Sequence, residues 1–567
     1  MLKVDLEKIL GFEIEATENA EFGDYSSNVA LQSKGQEVKG KGRQAEARAQ
    51  KIIESLKKNK ELSALVDKID VAGPGFINFW LKTDILVGNL IQIVEEKEKY
   101  GISENNKSKL AIVEYSSPNI AKPFGVGHLR STVIGDAVAN LMEATGWKVL
   151  RDNHLGDWGT QFGKVIYAIK AWGDEDKIGS SEAPVAELVK LYVKFHEEAE
   201  RDEHLEGDAR IWFKKLEDGD SEARRLWQKC VDWSWLEFNK VYEMLGVKFS
   251  PEFNKGRGLG ESFFETRMKA VLDDLKEKNL LKSGEDGAKL VFFDKDKYPP
   301  LMIIKSDGAT LYATRDLATD KYRKEKYDPD IIINEVGSEQ SLYFKQLFEV
   351  EKLLGWFKEG ARVHVGHGLY LTEGKKMSTR AGKTVKLEDV LSEALVRAKK
   401  LGNEDAETAK VVGVGAIKYF DLSHHPLTNI NFDWESMFAL EGNSGPYLQY
   451  TVARCNSVLA KSKSLQGGAF KGDTLQGRYE DLNFEELSVL RILMRFTEIV
   501  AASAGNYSPN LLCNYLYQVA SIYNTFYAKS KIIESDNEEF RLALTSATGQ
   551  VLKNGLKLLG IQSPERM

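Results

Sequence analysis

The sequence predicts a doubly wound α/β domain built on a parallel sheet, with a small mixed α/β unit before it and an all-α region after it. Three observations carry this. A strand-type apolar run, Leu110-Ala111-Ile112-Val113, passes through a Gly-containing loop into a helix that begins near Leu129. The same layout returns at Ile331-Ile332-Ile333-Asn334, Gly337-Ser338-Glu339-Gln340 and a helix over Leu342 to Leu354. From about Ser392 the periodicity is helical nearly to the end.

Taken in order, residues 1–105 read as a separate unit. Ala45 to Lys58 is helical and highly charged, and Lys68 to Ala72 and Phe76 to Leu81 flank Gly73-Pro74-Gly75 as a hairpin. In the first strand–loop–helix, Pro118 and Pro123 rule out regular structure between them. Val133, Ile134, Ala137, Val138, Leu141 and Met142 then recur at helical spacing, predicting an amphipathic helix that Gly146 ends. Trp147 to Arg151 is a second strand leading into Asn153 to Gly163, the β-α-β start of a Rossmann-like sheet whose ligand lies at the carboxyl ends of its strands.

Pro184 to Leu245 reads as a charged helical insert whose Trp212, Trp227, Trp233 and Trp235 are core. Leu290 to Phe293 and Met302 to Ile304 are strand-like, and Val363 to Val365 leads through Gly366-His367-Gly368 into a basic loop around Lys376. The domain reading is 1–105, 106–432 with a helical insertion near 173–260, and 433–567.

Composition sets limits. The 567 residues exceed one core, 42% are hydrophobic and 29% charged, and the chain is therefore globular and multidomain. No run is long enough to span a bilayer, and charges at Lys3, Asp5, Glu7 and Lys8 do not fit a signal peptide, so a cytoplasmic protein is expected. Cys230, Cys455 and Cys513 are far apart, without a CxxC pair, which points to inert buried thiols. At a net charge of −7, a polyanion partner needs local basic faces.

Gly125 and Gly127 let a ligand approach the backbone, and a helix start beside His128 and Lys122 suits phosphate. On this loop alone, a nucleotide site and a plain strand-to-helix turn both remain open. The second loop, Lys375-Lys376-Met377-Ser378-Thr379-Arg380-Ala381-Gly382-Lys383, shifts the balance. Together the two stretches resemble the H-I-G-H and K-M-S-K-S signatures of class I aminoacyl-tRNA synthetases. S-S-P-N-I-A-K-P from Ser116, N-H-L-G-D-W-G-T-Q-F-G from Asn153 and K-M-S-T-R-A-G from Lys376 are similar to the arginyl-tRNA synthetases in particular.

The resemblance implies a catalytic Rossmann-like domain, an N-terminal domain that contacts tRNA and a helical anticodon-binding domain. It implies ligation of arginine to tRNA(Arg) with ATP, magnesium carried on the nucleotide, no membrane partner, and a monomer. Catalysis would fall to His128, Lys122, Lys376 and Ser378. ATP binding would involve Gly125, Gly127, His128, Gly368, Lys376 and Met377, and arginine would meet Glu114, Asn119, Tyr312, Asp316 and Gln340. A guanidinium only donates, so its site needs acceptors of this kind. The tyrosines of the C-terminal helices (Tyr515, Tyr517, Tyr523 and Tyr527 among them) read as bundle core or as stacking surfaces for bases. The resemblance moves Tyr447 and Tyr450 toward RNA.

Two positions depart from the family pattern. Gly125 stands where the first signature has its first His, and Thr379 stands at the second Lys of the other. Lys122 is placed to restore the lost lysine charge. For Gly125 the sequence offers only His154 and His367, both in neighbouring loops.

Overall fold

A computed structural model describes residues 2–17, 20–32, 41–284, 286–294, 297–372, 374–377, 379–380, 383–402, 405–462 and 481–567. Its centre is a four-stranded parallel sheet of β1 (Leu110–Glu114), β2 (Lys148–Asp152), β3 (Ile331–Gly337) and β4 (Arg362–His367), in the order β4-β3-β1-β2. The chain runs outward from β1 to β2, returns to β3 and runs outward again to β4. The order therefore reverses between β1 and β3, and a crevice opens at their carboxyl ends. Glu114 is in register with Asn334 on one side and Asp152 on the other.

Alternation along these strands splits the core. Ala111, Val113, Ile331 and Ile333 face one side, where the helix Gly127–Ala144 brings Val133, Ile134, Ala137, Val138 and Leu141. Ile112, Leu150 and Ile332 face the other, against Leu317, Phe344, Leu347, Val350 and Leu354 of the helices Tyr312–Tyr327 and Ser341–Leu354. Each fully buried aliphatic side chain contributes roughly 1.5–3 kcal/mol. Covering both faces is what makes the strands read as continuous apolar runs.

The helix Gly127–Ala144 is not amphipathic as its spacing predicts. Leu129 through Ala139 are all buried, and so are Leu141, Met142 and Ala144. The sheet covers one face, and the C-terminal helices cover the opposite one. Its polar residues are paired inside: Arg130 with Asp421 at 3.2 Å, and Asp136 with Arg151 at 2.9 Å. Gly135 lies against Tyr115 so closely that a Cβ there would come within 2.2 Å of the Tyr115 Cβ.

The N-terminal unit is a four-stranded antiparallel sheet, including the expected hairpin of Val66–Ala72 with Phe76–Leu81. It is tied to the C-terminal helices by Asp24 with Arg491 at 3.0 Å and by the Tyr25 hydroxyl donating to Glu498. The insert forms three helices, Pro184–Ala199, His204–Glu217 and Ser221–Leu245. Trp233 and Trp235 are core, but Trp212 and Trp227 are only half-buried, and the Trp227 indole donates to the Asp157 carbonyl at 2.8 Å. The strand expected over Leu290 to Phe293 is Lys289–Val291, with Phe292 exposed. Cys230, Cys455 and Cys513 are buried and free, and burial pushes the Cys230 and Cys455 thiols up to about 12. Among the described residues no helix is long and apolar enough to cross a membrane.

Candidate active site at the sheet switch point

The loop leaving β1 holds three non-glycine residues at positive φ: Ser116 (74°), Ser117 (46°) and Ala121 (58°). Such conformations cost on the order of 1–3 kcal/mol each and persist only when neighbours hold them. Here the holders are explicit. Ser116 N–H donates to Ser131 Oγ (2.8 Å), Ser117 N–H to Asn153 Oδ1 (3.1 Å) and Ala121 N–H to Ser234 Oγ (2.9 Å). Asn119 is exposed and bridges Gly156, whose own Cβ would lie 2.4 Å from Asn119 Oδ1. Asp157 and Trp158 secure the second loop. Asp157 accepts from Ser262 N–H and Oγ (both 2.7 Å), and Trp158 packs on Phe213 and Trp227.

The first signature stretch is joined through the backbone to the residues that follow the second. Val126 N–H donates to Val385 carbonyl and Leu387 N–H to Phe124 carbonyl, both at 2.9 Å, around a bridge between Gly125 and Lys386. The second stretch begins as a hairpin, Tyr370–Thr372 with Lys375–Lys376, and Met377 packs on the core. Lys376 and Lys122 are exposed and form no salt bridge among the described residues; Ser378 lies outside them. Gly127 faces open space. Gly368 is a glycine because Thr428 carbonyl sits 2.6 Å from where its Cβ would be, a requirement internal to the protein.

His128 is the second residue of its helix, and its Nδ1 donates to the Gly125 carbonyl at 3.2 Å. Burial and the nearby His367 charge hold its imidazole below the ordinary histidine range.

On the other side of the crevice lies an acidic pocket. Glu114, Asp316 and Glu261 surround His154, whose Nε2 is 3.9 Å from Asp316 Oδ1 and has no hydrogen-bond partner. Tyr343 donates its hydroxyl to Asp316 and stacks edge-on with Tyr312 at 4.9 Å. Burial pushes the Asp316 carboxyl up to about 6, against the pull of His154 and the Tyr343 hydroxyl. Glu114 is buried too, yet Arg323 and His154 outweigh that and hold its carboxyl below the usual range. Arg323 bonds Glu114 Oε2 (2.5 Å), Asp152 (2.6 Å) and Asp320 (3.2 Å), and Arg362 joins Asp320 (2.8 Å) and Glu351 (3.2 Å). Burial drives Glu351 well above its usual value. Two guanidiniums, Arg323 and Arg362, thus face the four carboxyl groups of Glu114, Asp152, Asp320 and Glu351.

Of the residues expected from sequence, the fold thus brings together Glu114, Asp316 and Tyr312, linked by His154 and Tyr343. Gln340 is exposed in the turn Ser338–Gln340, one residue before the helix Ser341–Leu354. Tyr343, Glu261 and Arg323 escaped the sequence reading. Tyr343 is three residues past Gln340 on a helix, where its one visible signal was a tyrosine next to a site loop.

The C-terminal helices split their tyrosines. Tyr515 and Tyr523 are core, whereas Tyr450 and Tyr527 are exposed on either side of Arg454, at 4.9 and 5.0 Å. With Lys461 and Lys531 they line a groove of about 510 Å³. Half-buried Tyr447 stands behind it, accepting from Asn524, which in turn accepts from Arg454.

Residues 89–434 match the family described as class I tRNA synthetases (R), catalytic domain. The chain belongs to the class I arginyl-tRNA synthetases. Residues 448–567 match the DALR anticodon binding domain and 3–81 the arginyl tRNA synthetase N terminal domain. Curated arginine–tRNA ligases are similar along the chain. The Exiguobacterium sp. protein is 44% identical, covering 89% of this chain and 88% of its own, and that of Clostridioides difficile is 42% identical (91% and 90%). The arginyl-tRNA synthetase structure from Plasmodium falciparum superposes with a TM-score of 0.82 at 26% identity, over 100% of this chain and 99% of that one. That from Thermus thermophilus shares the fold at 0.80 and 22%, with 100% of both covered. The chain is an ATP-using synthetase of class I, with an open helix start at Gly127 and an acidic cluster of Glu114, Asp316 and Glu261 around His154.

Proposed function

We infer that this chain activates L-arginine with ATP, releasing pyrophosphate, and transfers arginine to the terminal adenosine of tRNA(Arg). The observation that carries this is the acidic cluster of Glu114 and Asp316, where carboxyl groups outnumber guanidiniums, set across the switch point from the open helix start at Gly127. The arginine carboxylate attacks the α-phosphorus already ionised, so alignment and charge neutralisation are the main tasks. The backbone at Gly125 and Gly127, with His128 and Lys122, would meet phosphate oxygens from the helix start. Lys376, with Ser378 and Met377 of its loop and Gly368 at its base, would neutralise the departing pyrophosphate. Asn119 and Gln340 would complete the amino-acid side, with Tyr312 stacking over it. These groups are N–H donors, cations and acceptors, which suits magnesium arriving with ATP as part of the substrate.

The groove of Tyr450, Arg454 and Tyr527, with Tyr447 behind it, offers ring faces and positive charge to unpaired bases. We place the anticodon there and the outer corner of the tRNA on the N-terminal unit, with the enzyme working as a cytoplasmic monomer. The test is ATP–pyrophosphate exchange with each of the twenty amino acids, with and without tRNA(Arg). Exchange with arginine alone is expected; exchange with a different amino acid, or with none while tRNA still binds, would overturn the reading.

This pocket carries a pH signature. A bound guanidinium favours ionised Asp316, so its carboxyl titrates near 6 when empty and lower when filled. Arginine binding is therefore full above pH 6 and declines as pH falls through it, by up to about tenfold per unit. Burial opposes a charge on His154, but the Glu114 and Asp316 carboxylates raise its titration, and a charged His154 would repel the guanidinium. The arginine KM is expected to be about tenfold higher at pH 5 than at pH 7.5, and a flat profile would take Asp316 out of the binding site.

A further inference from the structure

Gly125 leaves the helix start with one signature histidine, and that histidine is poorly prepared to donate. A carbonyl oxygen only accepts, so the 3.2 Å contact with Gly125 puts the proton of His128 on Nδ1. In the neutral ring Nε2 is then a lone pair, and burial disfavours a second proton.

His367 has the opposite arrangement. It ends β4, in register with Gly337 at the end of β3, and so sits at the carboxyl edge where the crevice opens. Its Nδ1 donates to Glu335 Oε1 at 2.8 Å, and Glu335 is 1% exposed with its other oxygen unpartnered. Burial opposes a charge on His367, but the Glu335 carboxylate outweighs it and favours the imidazolium. The remaining charged or titratable groups around the ring are His128 and Arg130 on the helix Gly127–Ala144, His364 on β4 and Asp421 on the helix Ala406–Leu422. Arg130 and Asp421 are committed to each other and to Tyr370, whose hydroxyl donates to Asp421. His367 Nε2 has no partner among the described residues and is not sealed from solvent.

We infer that His367, oriented by Glu335, is a nitrogen donor to the ATP phosphates, standing in for the side chain that Gly125 lacks. Glu335 is the positioning residue: it fixes the ring through Nδ1 so that Nε2–H faces the crevice beside His128. The inference rests on the activation of arginine by ATP set out above.

The experiment uses the full chain and reads ATP–pyrophosphate exchange with arginine and tRNA(Arg). His367→Asn keeps a side-chain amide near the position of Nδ1, able to bond Glu335, but deletes Nε2. It is expected to lower kcat about 10²-fold with the arginine KM unchanged. His367→Gln carries a neutral N–H to the position of Nε2 and is expected to recover part of that loss. Adding Gly125→His to His367→Asn is expected to raise kcat at least tenfold, because the donor is returned from the other side of the same phosphates. Exchange by His367→Asn within twofold of the unaltered chain would overturn the inference alone, and so would a loss that neither His367→Gln nor Gly125→His reduces. Absence of exchange in the unaltered chain would overturn the arginine-activation reading and this inference with it.

Discussion

Asp316→Asn is expected to lower kcat/KM for arginine on the order of 10³-fold, the effect of leaving one member of a desolvated, hydrogen-bonded charge pair without its partner. Asparagine is the informative replacement. Its amide oxygen can still accept the Tyr343 hydroxyl that holds Asp316 in place, so the Tyr312–Tyr343 stack survives and the charge alone is lost. The deficit should fall on arginine and not on ATP. Steady-state exchange with each substrate varied in turn separates the two, and an unchanged arginine KM and kcat would remove Asp316 from the pocket.

Arg323→Ala should be the most damaging substitution for stability. Its guanidinium is 1% exposed and meets Glu114, Asp152 and Asp320 at once. Removing it leaves buried Glu114 and Asp152 without a guanidinium while Asp320 keeps Arg362, a loss of about 3–5 kcal/mol. The sign with pH is set by Glu114. Its carboxyl titrates below its ordinary value in the folded chain, so the pair contributes fully above that ordinary value and is lost as pH falls through the folded one. The variant should therefore differ from the unaltered chain more at pH 8 than at pH 3, below the ordinary carboxylate value. Denaturant unfolding of the two proteins at both pH values measures this, and equal stability at pH 8 would mean that the network contributes nothing.

Sequence and structure agree where one physical rule acts alone. The strands β1 and β3 could be read because both faces of a parallel sheet are buried, which leaves unbroken runs such as Ile331-Ile332-Ile333. The helix after β1 could be placed but not oriented. Its spacing matched one face, while the far face is buried by helices from the other end of the chain. Glu114 and Asp316 could be nominated by resemblance, but Arg323, Asp320 and Arg362 have no local signature, since only the fold brings them under the site. Positive φ at Ser116, Ser117 and Ala121 was invisible because the usual marker is glycine. His367 could be noticed as an inward candidate; that Glu335 holds it follows from the adjacency of β3 and β4.

The helix Gly127–Ala144 forms a wall common to two chambers. Its first turn lies at the carboxyl end of the sheet, where ATP is proposed to bind, and its flanks pack on the helices Ala406–Leu422, Phe496–Gly505, Pro509–Lys529 and Glu538–Leu558. Among the described residues the helix packs directly on the C-terminal bundle, so a tilt of one is a tilt of the other. Free-energy conservation then makes the traffic two-way. Whatever factor tRNA imposes on the affinity for ATP, ATP must return to the affinity for tRNA.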